Sequence, residues 1–192
     1  MNYLSIKSIF GELKWMLIYK KLKKIEILIL DIDGVLTDGG LWFDCSGNVL
    51  KRFDVKDGLG LTLLQEIGME IVLISGGDSK SAEARASQLG IKHCFFGIKN
   101  KYQILKEFQI KRSIPIKKCA YIGDDINDIV VRPLVSLFFT PFNASQSLKS
   151  ISDFRLQNCG GFGAVRELSE RILISKGLWN NYSKNGWIKL SN

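Results

Sequence analysis

Asp31 and Asp33 stand two residues apart in Asp31-Ile32-Asp33-Gly34, directly after the apolar run Ile25-Glu26-Ile27-Leu28-Ile29-Leu30. Such a β-branched-rich run reads as a strand buried on both faces. Carboxylates at the edge of a core are costly unless they are paired or hold a metal. Ser75-Gly76-Gly77, Lys101 and Gly123-Asp124-Asp125 recur at later strand exits and helix starts. Asp31, Asp33 and Asp124 together make a hard oxygen site suited to Mg²⁺, which takes few carboxylates plus waters and phosphate oxygens. An Asp carboxylate can act as a nucleophile. A second one nearby can protonate a leaving oxygen and later deprotonate water. Lys101 can balance the concentrated negative charge, and Ser75 and the Gly76 amide can donate to phosphate oxygens.

Each piece alone has an ordinary explanation, since Asp pairs fill turns and Ser-Gly-Gly suits any strand-to-helix turn. Their order along the chain, each on a different strand exit or helix start, is what carries weight. Competing chemistries lack their parts. His93 is the single histidine, and Lys92-His93-Cys94-Phe95 puts it on a strand as a structural side chain. Neither G-x-G-x-x-G nor G-x-x-x-x-G-K-[ST] is present, which disfavours dinucleotide binding and the P-loop.

The elements that must position these groups alternate. Strands are expected at Ile25–Leu30, Glu70–Ile74, Lys92–Phe96, Lys118–Ile122 and Val135–Phe139. Helices are expected from Asp57, as N-cap, to Ile67, then at Ser79–Leu89, Asn100–Phe108, Ile126–Val131 and Gly163–Ile174. A β-hairpin is expected around Ser46-Gly47-Asn48. Residues 4–22 read as an amphipathic helix through Ile6, Ile9, Phe10, Leu13, Met16 and Leu17. The tail from Lys176, with Gly, Asn, Ser and Lys around two Trp, is expected to be poorly ordered on its own. The expected fold class is α/β: a three-layer, Rossmann-like parallel sheet with helices on both faces, a β-hairpin insertion after the first strand and no large cap domain. In such sheets the loops after the strands gather at one edge, which brings Asp31, Asp33, Ser75, Lys101 and Asp124 together.

The 192 residues suit one domain with a full core. No apolar run reaches the roughly 18–20 residues of a membrane span, and the Lys-interrupted N-terminus is unlike a secretory signal. The net charge of +8 sits on the ends: residues 1–25 hold six Lys against one Glu, and residues 176–192 hold three Lys and no acid. Solvated basic ends are expected, with neither nucleic acid nor membrane as a partner. Cys45, Cys94, Cys119 and Cys159 are scattered without a CxxC pair. Three of them, among apolar or aromatic neighbours, are expected to be buried thiols in a reducing cytoplasm.

Asp31-x-Asp33-Gly34-Val35, Ile74-Ser75-Gly76, Lys101 and Gly123-Asp124-Asp125-Ile126-Asn127-Asp128 resemble, in order, the four motifs of the haloacid dehalogenase superfamily of phosphatases. Asp33–Gly39, the hairpin, Val55-Lys56-Asp57-Gly58-Leu59-Gly60 and Gly160–Glu167 further resemble the 3-deoxy-D-manno-octulosonate 8-phosphate phosphatase group. The resemblance covers roughly residues 24–174. It implies a Mg²⁺-dependent sugar-acid phosphatase of lipopolysaccharide biosynthesis, acting through an aspartyl phosphate in residues 25–175, between a basic helix (1–24) and a basic tail (176–192). By it, Asp31 is the nucleophile and a metal ligand; Asp33 is the general acid/base and binds metal through its backbone carbonyl. Asp124 is a metal ligand, supported by Asp125 and Asp128. Phosphate or substrate contacts fall to Thr37, Ser75, Gly76, Lys101, Lys56 and Arg166. The group lacks a cap and forms homotetramers in which a neighbour helps to close each site. Two positions depart from the group: Gly77 and Phe162 stand where it usually has Arg, with Lys56, Lys80, Arg85 or Arg166 as candidates to compensate. The departures leave a nonulosonate 9-phosphate as an alternative substrate, and a non-catalytic oligomerisation or regulatory module as an alternative role.

Overall fold

β1 (Ile27–Leu30) is central because all four of its residues are apolar and buried, so both faces need a covering layer. In the computed structural model, which describes residues 15–16 and 18–187, β1 lies between β4 (Glu70–Ile74) and β6 (Cys119–Ile122). β5 (His93–Phe95) flanks β4, and β7 (Leu137–Thr140) and β8 (Phe154–Arg155) extend the other side. The order is β5-β4-β1-β6-β7-β8, parallel throughout.

Strand residues alternate between two cores, as the period of two demands. Leu28, Leu30, Leu73 and Ile122 pack beneath α2 (Val55–Glu66) and α6 (Ala164–Ser175), with Leu61, Leu64, Leu168 and Ile172. Ile27, Ile29, Ile74 and Tyr121 face α4 (Lys101–Lys111) and the 3₁₀ segment Ile126–Leu134, with Leu105, Phe108 and Val131. Between β1 and β4 the chain holds only a hairpin, β2 (Trp42–Phe43) with β3 (Val49–Leu50), and α2. The three-layer α/β class, the hairpin insertion and the missing cap are thus as expected. α3 (Lys80–Gln88) starts at its expected cap, Ser79.

Five expectations need correction. Asp57 does not cap α2; Asp54 does, accepting from the Lys56 N–H at 2.7 Å. Asp57 sits buried one turn later and accepts from the N–H groups of Gly163 (3.3 Å) and Arg166 (2.7 Å). The N-cap of α6 is Gly163, which has no side-chain acceptor, so the neighbouring helix supplies one. The tail forms α7 (Trp179–Asn185), because Trp179, Tyr182 and Trp187 pack on the core and Trp187 donates to Glu66 at 2.6 Å. Two elements were not expected, α5 (Gln146–Ile151) and β8; at six and two residues they are too short to show a period. Only Cys119 is buried; Cys94 and Cys159 are half-buried, Cys45 is exposed, and all four are free thiols. In the N-terminal helix α1, described at residues 15–16 and 18–22, Trp15, Ile18 and Leu22 face the core while Met16 is exposed. Of the expected stripe only Met16 can be compared, and it is exposed; Ile6, Ile9, Phe10, Leu13 and Leu17 lie outside the described residues.

Candidate active site

The register of the three central strands sets the site. Leu30 pairs with Leu73 on one side and Ile122 on the other, so the strands end level. Asp31 then leaves β1 while Ser75 and Asp124 leave β4 and β6 on either side of it. The turn after Asp31 is stapled by Thr37, whose buried Oγ1 accepts from the Gly34 and Gly39 N–H groups at 3.3 Å each. Gly34 has φ +74°, and a Cβ there would land on the Asp124 carboxylate. Glycine is what lets Asp124 close against the Asp31 turn. Gly160 does the same from the other side, where a Cβ would collide with the Gly34 carbonyl.

Lys101 starts α4 and reaches under the strand ends. Its Nζ lies 2.9 Å from Asp31 Oδ2 and 2.7 Å from Asp128 Oδ1, and all three side chains are at most 4% exposed. Asp128 also accepts from Tyr121 Oη–H at 2.6 Å and, through Oδ2, from the Asp124 N–H at 3.0 Å. Oxygens of Asp31, Asp124 and Asp128 all lie within 4.8 Å of one another. Two carboxylates thus crowd one ammonium, with a third alongside. Burial first, then the Asp128 charge, push the Asp31 carboxyl up to about 7 against the pull of Lys101. Burial and the Asp31 and Asp128 charges likewise take Asp124 to about 7. Burial works against the Lys101 ammonium, yet the two acids together raise its pKa above the usual lysine value. Burial, then Asp128, drives the Tyr121 hydroxyl well above its usual range, so it stays a donor.

Such a surplus of buried hard oxygen donors is what a divalent cation fits, because the cation neutralises charge that protein groups leave unbalanced. Asp31 and Asp124 follow the ends of β1 and β6, whereas Asp128 is the more enclosed, with three protein donors (Lys101, Tyr121 and the Asp124 N–H) against two on Asp31 (Lys101 and the Ile32 N–H at 2.7 Å). Asp125 is exposed and caps its own 3₁₀ segment, accepting from the Ile126 N–H at 2.8 Å.

Ser75 is fully buried, and its Oγ accepts from the Gly77 N–H at 3.1 Å; Gly76 is exposed beside it. Asp33 is half-exposed and pairs with Lys51, whose Nζ is 2.8 Å from Oδ1 and 2.9 Å from Oδ2. Lys56 and Lys80 are exposed. Arg85 bonds the Asp54 carbonyl and Gln88, and Arg166 bonds Glu170 and lies over Trp179. The cations beside the two departing positions are instead Lys51, next to Gly77, and Arg52, whose guanidinium lies 4.3 Å from the Phe162 ring centre. Arg52 also donates to the Gly161 carbonyl at 2.6 Å. Lys51, Arg52 and Tyr121 escape a reading of the sequence: the first two look like solvated hairpin charges, and Tyr121 sits in an apolar strand as any core aromatic would. His93 is structural as expected, on β5 with Glu70 Oε1 2.8 Å from its Nε2.

An Asp-bearing turn after a central parallel strand, flanked by a Ser exit, a helix-borne Lys and an acidic fourth exit, defines a class of hydrolase. The chain belongs to the haloacid dehalogenase-like hydrolase family, whose model matches residues 48–131. It is similar to the 3-deoxy-D-manno-octulosonate 8-phosphate phosphatase KdsC of Haemophilus influenzae, 36% identical over 158 residues, 82% of this chain and 88% of that one. The solved phosphatase of that name from Moraxella catarrhalis, in complex with magnesium ion, phosphate ion and KDO, has a TM-score of 0.85 at 34% identity, covering 88% of this chain and 98% of that one. Its counterpart from Yersinia pestis gives 0.82 at 32% identity, covering 85% and 88%. The protein is accordingly a phosphoric monoester hydrolase acting on a sugar phosphate.

Proposed function

We propose that this enzyme releases phosphate from 3-deoxy-D-manno-octulosonate 8-phosphate, in lipopolysaccharide biosynthesis in the cytoplasm, through a phosphorylated Asp31. The observation that carries the mechanism is the buried Asp31 carboxylate held by Lys101 at the end of β1. Asp31 Oδ attacks phosphorus, the bond from phosphorus to the sugar oxygen breaks, and Asp33 gives that oxygen its proton. Water then attacks the phosphoryl group, Asp33 takes its proton, and inorganic phosphate and free Asp31 result. Ser75, Gly76 and Lys101 hold the phosphoryl oxygens; Ser75 Oγ already accepts from Gly77, which leaves its hydroxyl proton as donor. Asp31, Asp124 and the Asp33 backbone carbonyl would hold Mg²⁺, which supplies charge neutralisation beside the phosphoryl group. Thr37 serves by shaping the turn, while Lys56 and Arg166 are candidate contacts for the rest of the sugar acid.

We also propose a homotetramer. Leu41, Trp42, Phe43 and Leu50 on the hairpin are 53–67% exposed, with Trp42 and Leu50 paired across the strands, a concentration of exposed apolar side chains of the kind that marks self-association. A phosphate-release screen of eight- and nine-carbon sugar-acid phosphates with Mg²⁺ tests the substrate. Preference for the octulosonate 8-phosphate supports it, and preference for a nonulosonate 9-phosphate replaces it. Asp31→Asn should lose about 10⁴-fold or more of kcat while staying folded. Wild-type turnover by that variant would remove the mechanism. Trp42→Lys with Phe43→Lys should shift the mass in light scattering to that of the monomer.

A further inference from the structure

We infer that Lys51 is the positioning residue for the acid/base Asp33, and that Gly77 is the opening that admits it; this rests on the phosphatase reading above. The Lys51 side chain is 3% exposed although it follows an exposed hairpin. A buried ammonium needs a partner, and this one meets both oxygens of Asp33, at 2.8 and 2.9 Å. The hydrogen bond falls on Oδ2, while Oδ1 lies at ion-pair distance from the same ammonium with no hydrogen bond of its own, so one donor and its charge together hold the carboxylate in place.

The backbone around Lys51 is fixed relative to the Asp33 turn. Phe53 is bridged to Thr37 within that turn, and Arg52 is bonded to the Gly161 carbonyl. Both anchors come directly after Lys51 in the chain, so its backbone is held beside the turn and its side chain spans the remaining distance to Asp33. The room it reaches into belongs to Gly77. A Cβ on residue 77 would lie 2.9 Å from Asp33 Oδ2, close enough to make the end of that carboxylate shift, and 3.5 Å from Lys51 Nζ, an ordinary contact. Lys101 serves a different carboxylate, Asp31, from α4 on another side of the site. The two lysines divide the work: one holds the nucleophile and the other the acid/base.

A double-mutant cycle tests this assignment. General acid/base catalysis is worth roughly 10²–10⁴-fold, so misplacing Asp33 without removing it should cost part of that. Lys51→Met should lower kcat on the preferred sugar-acid phosphate roughly 10–100-fold, with KM changed less than about twofold. In an Asp33→Asn background the same substitution should change kcat less than about twofold, because residues acting as a unit are not additive. Lys51→Arg should recover part of the loss. Equal losses in both backgrounds, or a raised KM with unchanged kcat, would overturn the assignment. Gly77→Ala disturbs the pair while keeping both charges, and should lower kcat roughly 3–10-fold; an unchanged kcat counts against the pair. A crystal structure of Lys51→Met gives a readout free of turnover: an Asp33 carboxylate that leaves its place supports the assignment, and one that stays sinks it. The phosphatase reading fails separately, by a wild-type enzyme that releases no phosphate.

Discussion

Two ion-paired clusters sit at opposite edges of the same sheet, and they differ in burial and in the balance of charge. At the carboxyl ends, Asp31 and Asp128 share Lys101, with each side chain at most 4% exposed. At the amino ends, His93 and Arg112 share Glu70, with side chains 24–39% exposed. The first has two acids to one base in a dry setting, and a third acid, Asp124, beside them. The second has two bases to one acid in water, and it lines a groove of about 360 Å³ with Gln65, Met69 and Lys92. Composition alone would make both look like sites. Solvent decides: exposed pairs are screened and worth little, whereas buried like charges must find a cation or a proton.

The sharpest way to break the contrast is to remove the central group of the buried cluster. Lys101→Met leaves Asp31 and Asp128 buried without their cation and should cost about 3–5 kcal/mol, together with phosphatase activity. Urea unfolding and phosphate release measure both; a loss under about 1 kcal/mol would mean that the cluster is wetter than its burial indicates.

Metal removal comes next. Asp31 and Asp124 ionise near the ordinary 3.8 in the unfolded chain but near 7 in the folded, metal-free protein. Between those values the folded state holds the protons more tightly. Their contribution is therefore full below about pH 4 and is lost as the pH rises through about 7, by the order of a few kcal/mol. Urea midpoints with a chelator should fall between pH 5 and pH 8, and Mg²⁺ should raise the midpoint most at pH 8. A metal-free midpoint that is flat over this range would contradict the crowding.

Tyr121→Phe removes one donor from Asp128 while Lys101 and the Asp124 N–H remain. It should cost about 1–2 kcal/mol and lower kcat less than Lys101→Met, as read by melting and phosphate release. Smallest of all, Arg112→Met at the amino-end cluster should change stability by less than about 1 kcal/mol and leave phosphate release at the wild-type rate. A large activity loss there would show the two ends to be coupled.

Legibility in the sequence follows the same division. Asp31, Asp33, Ser75, Lys101 and Asp124 are readable because each interrupts an apolar run or starts a helix, and a polar residue at such a border needs a reason. The parallel sheet is readable from the alternation of short apolar runs with helical stretches. Asp57 was not, because a cap for its own helix and a cap for a helix 106 residues away look identical in one dimension. Lys51 was not, because only the fold shows a hairpin charge turning inward. Trp179 and Tyr182 order α7 through packing on the core, which a polar, Gly-bearing segment does not announce.

The glycine contact behind the Asp31 turn has a consequence for how the protein is made. Gly160 rests on the Gly34 carbonyl, and Asp57 ties down the backbone at Gly163 and Arg166. A chain emerging from the ribosome carries Asp31, Asp33, Ser75, Lys101 and Asp124 well before it carries Gly160. Until that last stretch is synthesised the nascent chain holds every candidate reactive group but has no wall behind them. Competence thus arrives late in synthesis, and a fragment ending before residue 160 should be an inert one.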